Sequence, residues 1–354
     1  MTIKELTDMT GTMRAVVKTA PAPGSIELRT VPIPQIGPRE ILVRVKAAAV
    51  CGTDVHIRHW NAWAQARMHP PVVIGHEFSG EVVEIGSEVH TVKVGDRVSS
   101  ESHIPCNNCQ ICHEGSRHVC PHTKCIGVHQ DGCFAEYIAI PEEIAFVYND
   151  EALPWEQLAL MEPLGVSVHG MTDVPLAAKS VAIIGAGPLG QMGILVAKLT
   201  GAARIIVLEP SPERAKIAKD LGADAVIDPI GEDPIAAVRR LTDGFGPHVA
   251  VDFSGSVAGL TAAMQYLRPE GQLTCVALPD KPISVSISDF GYRGCSIRGI
   301  AGRRMYENWE EMRGLLARGL DLSPIVTHVL PLEKFERGLD MTERGECAKC
   351  ILIP

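Results

Sequence analysis

A short apolar run, Val181-Ala-Ile-Ile184, meets the turn Gly185-Ala-Gly187-Pro-Leu-Gly190 and leads into a helical stretch at 191–199. Strand, glycine turn and helix in that order leave few folds open, because a parallel strand must be reached through a crossover of about a dozen residues or more. The chain downstream keeps the rhythm. Segments 204–208, 225–227, 249–253, 272–277 and 296–300 read as strands, and 213–221, 233–241 and 258–267 as the helices between them. Six alternating units predict an α/β doubly wound parallel sheet.

The same turn carries chemistry. Glycines at 185, 187 and 190 let backbone N–H groups approach a pyrophosphate, and the helix N-terminus adds positive potential. Glu209 closes the second strand, about twenty residues on, where an acid accepts hydrogen bonds from the adenosine ribose. It would repel a 2′-phosphate, which favours NAD over NADP. Arg214, one helical turn further, is a counter-signal because it can recruit that phosphate; the acid is weighted more heavily.

Upstream the pattern differs. Short β-rich runs at 13–18, 26–30, 41–50, 81–85 and 96–99, punctuated by Gly and Pro, suit a compact β-barrel or sandwich. Pro32 and Pro38 bracket a stretch that reads as a surface crossing. Residues 1–12 are polar and expected to fray. From Tyr306 an amphipathic helix (Trp309, Met312, Leu315, Leu316) precedes short strands at 325–330 and 350–353 that return to the first domain.

Bulk properties narrow the function. At 354 residues and 46% hydrophobic the chain can bury two cores, and a net charge of −9 offers no footprint for nucleic acid or an anionic membrane. No apolar run approaches the roughly 18 to 20 residues of a membrane helix, and the N-terminus lacks a secretory core. A cytoplasmic protein is expected. Eleven cysteines in such a chain point to metal rather than disulfides.

Cys106, Cys109, Cys112 and Cys120 can close a tetrahedral shell around a structural zinc. The alternatives are free buried cysteines, or an iron–sulfur cluster whose usual spacings fit poorly. Cys51, His76 and Glu77 supply a thiol, an imidazole and a carboxylate, the ligand types of a catalytic zinc with one open position. Each alone can be incidental; beside a dinucleotide fold they point to metal. Zinc has no redox role and would act as a Lewis acid, acidifying an alcohol whose alkoxide expels hydride to nicotinamide. Thr53 has a hydroxyl that donates and accepts, and His56 can pass a proton near neutral pH. A helix cap for Thr53 and a plain surface position for His56 are the competing readings, and Asp54 reads equally as a cap.

With these residues in place, the chain resembles the zinc-dependent medium-chain dehydrogenases over nearly its full length. The resemblance rests on Cys51-Gly-Thr-Asp-Val-His56, Gly75-His-Glu77, Gly132-Cys-Phe-Ala-Glu-Tyr137, Glu162-Pro-Leu-Gly165 and Phe253-Ser-Gly255. Trp60, His103 and the segment 320–328 lean towards the threonine dehydrogenases. The resemblance implies a GroES-like β-barrel catalytic domain at 1–165 and 306–354, with a structural zinc lobe at 103–125, and a Rossmann domain at 166–305. It implies Cys51, His76 and Glu77 as catalytic zinc ligands, Thr53 and His56 as a proton relay, and Glu162 as an intermittent ligand or a group behind the ligands. Leu189, Glu209, Arg214, Val276, Ala277, Leu278, Ile300 and Ala301 would line NAD. Two zinc ions per chain, a small-molecule alcohol substrate and a homotetramer follow from the same likeness.

Two departures from the family pattern stand out, the first of which bears on the substrate and the second of which is mild. Val166-Ser167 stands where relatives have Asn-Ala, and Ala348-Lys349 where they have Gly-Lys. Threonine's 3-hydroxyl is the expected target, with a polyol, sugar or diol as the alternative. His103 and Glu162 are candidates for meeting threonine's ammonium and carboxylate. A non-catalytic nucleotide and zinc binder is disfavoured by the complete ligand set, and a zinc-ribbon nucleic-acid binder by the acidic balance.

Overall fold

The computed structural model describes residues 11–354; the polar residues before them, expected to fray, lie outside the described residues. Residue 12 does not fray but opens the strand Thr12–Lys18. By contacts the chain forms two compact units: residues through Glu162 together with Val326–Pro354, and Pro163–Ile325. The helix Glu307–Ala317 therefore falls in the second unit, whereas the sequence reading starts the return to the first domain at residue 306. The return begins with the strand Val326–Pro331.

The first unit is built on the strand Glu40–Ala49, which is paired on both sides and so is largely buried rather than alternating. It runs antiparallel to Glu77–Ile85, Tyr137–Pro141 and Lys349–Ile353 in a seven-stranded sheet. A three-stranded sheet joins Ile26–Pro32, Thr12–Lys18 and Val72–Val73, with Pro32 ending an edge strand where its missing N–H costs nothing. Val43, Val45, Phe78, Phe134 and Leu352 lie in one buried core. Register positions the chemistry: Ala49 pairs with Glu77 on one side and with Ile351 on the other. Both flanking strands thus deliver side chains to the point where the chain leaves Val50 for Cys51.

The sequence reading omits the helix Phe335–Arg344, although Phe335 and Leu339, four apart, and Gly338 and Met341, three apart, form its buried face. That face packs on Lys349–Ile353 and on the helix Gly52–His59. In the second unit six parallel strands take the order Ala225–Ile227, Arg204–Leu208, Ser180–Ile184, Val249–Asp252, Gln272–Cys275, Ser296–Gly299. The order reverses beside Ser180–Ile184, the strand that carries the glycine turn, as expected of a dinucleotide crevice.

Candidate active site and metal centres

Cys51 caps the helix Gly52–His59, and Asp54 closes that turn by accepting the Cys51 N–H at 2.9 Å. The capping reading of Asp54 is thus realised. Its other oxygen lies 3.9 Å from His76 Nδ1, and both atoms are buried without a hydrogen-bond partner. At that distance they are not bonded to one another. Burial pushes the Asp54 carboxyl up to about 6, opposed by His76. His76 follows Gly75, whose φ of 91° suits glycine, and a Cβ there would come within 2.2 Å of the Phe134 ring.

Cys51, His76 and Glu77 each bring one ligand atom to within 4.8 Å of the others. Thiol, imidazole and carboxylate in that space, with an unpartnered buried imidazole nitrogen among them, fit a zinc ion and leave one coordination position free. Glu77 has a second partner that the sequence reading passed over. Lys349 Nζ donates to both Glu77 oxygens, at 2.6 and 2.5 Å, and to the Val50 carbonyl at 3.3 Å. Both side chains are almost wholly buried. Burial alone would lower the Lys349 amine, but Glu77, Cys51 and Glu162 hold it above its ordinary 10.5. The available signal was a lysine opening an otherwise apolar terminal strand.

Thr53 Oγ1 accepts the Cys51 thiol at 3.7 Å, and His56 is exposed on the same helix. Glu162 groups not with the three ligands but with Glu101 and His103. Its Oε1 accepts the Ser102 hydroxyl at 2.5 Å, and His103 Nδ1 is 3.0 Å from Ser102 Oγ and 3.2 Å from Glu101 Oε1. Burial would lower the His103 pKa, but hydrogen bonds to Cys125 and Glu101 lift it to about 10. Ser102 stands beside His103 in the sequence but takes no role from it, and Glu101 carries no local signal, since nothing in the pattern marks either as facing Glu162.

The four cysteines do converge. Cys109–Cys112 and Cys106–Cys120 Sγ separations are 3.5 Å, and Cys109–Cys120 is 3.9 Å. A zinc–sulfur bond of about 2.3 Å implies tetrahedral edges of about 3.8 Å, so the thiols suit zinc. Two backbone N–H groups, of Cys106 and His122, point at Cys120 Sγ at 3.4 Å, favouring its thiolate.

In the second unit Gly185 has φ 88°, and a Cβ on Gly190 would strike the Gly185 carbonyl at 2.0 Å, while Gly187 faces open space. Such a cradle fits a pyrophosphate. Glu209 accepts the Ala186 N–H at 2.7 Å and the Ser211 N–H at 2.9 Å, tying the glycine turn to the end of the second strand. Ser167, one of the two departures, donates to the Leu189 carbonyl at 2.8 Å. Arg214 is half-buried, as are Val276 and Ala277; Leu278 and Ala301 are exposed and Ile300 is buried.

Comparison with known proteins gives this arrangement its family. Residues 37–150 match the alcohol dehydrogenase GroES-like domain and residues 188–318 match the zinc-binding dehydrogenase domain. The L-threonine 3-dehydrogenase of Caldanaerobacter subterraneus subsp. tengcongensis is 44% identical over 98% of this chain and 100% of its own. The chain belongs to the zinc-binding, medium-chain alcohol dehydrogenases. Among solved members of this family, a zinc-binding dehydrogenase from Sinorhizobium meliloti 1021 bound to NADP superimposes with a TM-score of 0.90 at 26% identity, covering 97% of this chain and 100% of that one. The 2R,3R-butanediol dehydrogenase of Bacillus subtilis gives 0.88 at 29%, covering 97% and 99%. This dehydrogenase thus has the GroES-like and Rossmann-type domains that its sequence resemblance implies. Among the described residues no helix is long and apolar enough to cross a membrane.

Proposed function

We propose that this dehydrogenase oxidises L-threonine at its 3-hydroxyl to 2-amino-3-oxobutanoate, using NAD and two zinc ions per chain, one catalytic and one structural. The observation that carries the reading is the 44% identity, over nearly the whole chain, to an L-threonine 3-dehydrogenase, against 29% to the butanediol enzyme. A zinc ion held by Cys51, His76 and Glu77 supplies the Lewis acidity that acidifies a bound alcohol. Thr53 accepts the alcohol proton at its hydroxyl and His56, exposed on the same helix, releases it to solvent. The Glu162 carboxylate pairs with the substrate ammonium and the His103 imidazolium with its carboxylate. Glycines 185, 187 and 190 bind the pyrophosphate of NAD, Glu209 the ribose, and Leu189, Val276, Ala277, Leu278, Ile300 and Ala301 the rest. NADH formation should be robust with L-threonine and weak with sorbitol, threitol and butanediol. No turnover of threonine eliminates the assignment, and turnover of a diol alone establishes the polyol-type alternative.

Two further expectations accompany it. Cys51→Ser should lower kcat/KM roughly 10³-fold, because Lewis-acid stabilisation is worth several kcal/mol; full activity in that variant removes the metal assignment. Glu209 should make NAD the better cofactor, and equal kcat/KM with NADP would mean that Arg214 prevails.

The protein works in the cytoplasm as a homotetramer on this reading. The strand Ser296–Gly299 is exposed along its length at the edge of the parallel sheet, with Ile287 and Tyr292 exposed on the preceding helix. An unpaired edge beside apolar side chains is a template for a second copy. Light scattering should return about four times the 38.1 kDa chain mass.

A further inference from the structure

The reaction leaves one reactive group, the thiol of Cys125 beside His103, without a role. Cys125 and His103 are direct cross-strand partners in the two-stranded antiparallel sheet His103–Ile104 with Lys124–Cys125. Partners of this kind carry their Cβ atoms about 5 Å apart on one face, which sets the Cys125 sulfur beside the His103 imidazole, and that neighbour helps to hold His103 protonated. On its other side the Cys125 N–H donates to His129 Nδ1 at 3.0 Å. The His103 imidazolium is thus the cationic neighbour of a sulfur that remains half-exposed. Partial access together with an imidazolium neighbour makes a thiol nucleophilic.

The other cysteines outside the two metal-ligand sets lack it. Cys133, Cys347 and Cys350 are buried. Cys275 and Cys295 are half-buried, but burial raises the Cys275 thiol to about 11 and the Cys295 thiol donates to the Arg268 carbonyl at 3.4 Å. Outside the two metal-ligand sets, Cys125 alone among the described cysteines couples access with an imidazole neighbour. The pair is also wired inward. His103 contacts Ser102 Oγ at 3.0 Å, and Ser102 donates to Glu162 at 2.5 Å.

We propose that Cys125 is a peroxide-sensitive modification site whose oxidation disturbs the substrate pocket through His103. The thiolate sulfur attacks a hydroperoxide; the S–O bond forms as the O–O bond breaks. Sulfur is oxidised by two electrons to a sulfenic acid, and the departing oxygen takes the His103 proton and leaves as water, or as an alcohol from an organic hydroperoxide. His103 loses its charge and gains a new polar neighbour, which shifts its contacts with Ser102 and Glu101. The effect on turnover rests on the role given above to His103 and Glu162, whereas the reactivity of the thiol does not.

The test exposes the zinc-loaded full-length enzyme to hydrogen peroxide with dimedone present as a sulfenic-acid trap, and follows each cysteine by peptide mass spectrometry. Cys125 is expected to carry the adduct about ten times faster than Cys275 or Cys295, and His103→Gln to slow it severalfold. Alcohol oxidation should fall in step with labelling of Cys125 in the parent, and persist in Cys125→Ser under the same exposure. Labelling of Cys125 no faster than its half-buried counterparts overturns the proposal, as does equal inactivation of Cys125→Ser. The labelling arm reads the sulfur alone, so it separates failure of this site from failure of threonine as substrate.

Discussion

Lys349→Met should destabilise the first unit by about 3 to 5 kcal/mol, the typical cost of leaving one member of a buried ion pair uncompensated. Both partners are almost fully buried and the contact is bidentate, so no discount for solvent screening applies. Calorimetry should show the melting temperature falling by on the order of 10 °C. The loss should be larger after chelation of zinc than in the loaded enzyme, because a bound cation would share the charge of Glu77. Adding Glu77→Gln should recover much of it, and a double-mutant cycle with no coupling would refute the pairing. The sign of the pH dependence follows from the raised Lys349 pKa. Its stabilisation is fully present below the ordinary 10.5 and is lost only as pH climbs through the higher folded value.

Cys109→Ser should remove one zinc per chain and loosen residues 106–120. In small peptides a structural zinc is worth about 10 to 16 kcal/mol, as much as a whole domain's stability. The lobe around it has little else, since the only helices between the cysteines are Gln110–His113 and the single turn Arg117–Val119. Metal analysis of the purified variant should find half the parent's zinc, and limited proteolysis should cut within the lobe while the parallel-sheet unit stays intact. Unchanged zinc content would end the assignment of a structural metal.

Much of this was legible from local pattern. The glycine turn with Glu209, the four cysteines and the Cys51, His76 and Glu77 set can each be read from spacing, because turn geometry and ligand chemistry demand particular residue types at short range. The inner strands of the parallel sheet, such as Ser180–Ile184, Arg204–Leu208 and Val249–Asp252, were legible for a related reason: they are short apolar runs followed by helical periodicity. The helix Phe335–Arg344 was missed although its apolar positions carry the right period, since charged residues outnumber them and mask the stripe. The domain boundary slipped from 326 to 306 because an amphipathic helix does not say which core it covers.

Residue identity and spacing alone determined that this chain carries a dinucleotide-type glycine turn on a parallel sheet and two sets of side chains suited to ligate metal. Only the tertiary structure decided what those ligands lean on. Lys349 meets Glu77 across 272 residues, and Ser102 meets Glu162 across 60. The strand Glu40–Ala49 makes the first encounter, by pairing with Glu77–Ile85 on one side and Lys349–Ile353 on the other. Such contacts are set by sheet register and burial, which depend on the whole chain closing around one core, and no local pattern encodes them.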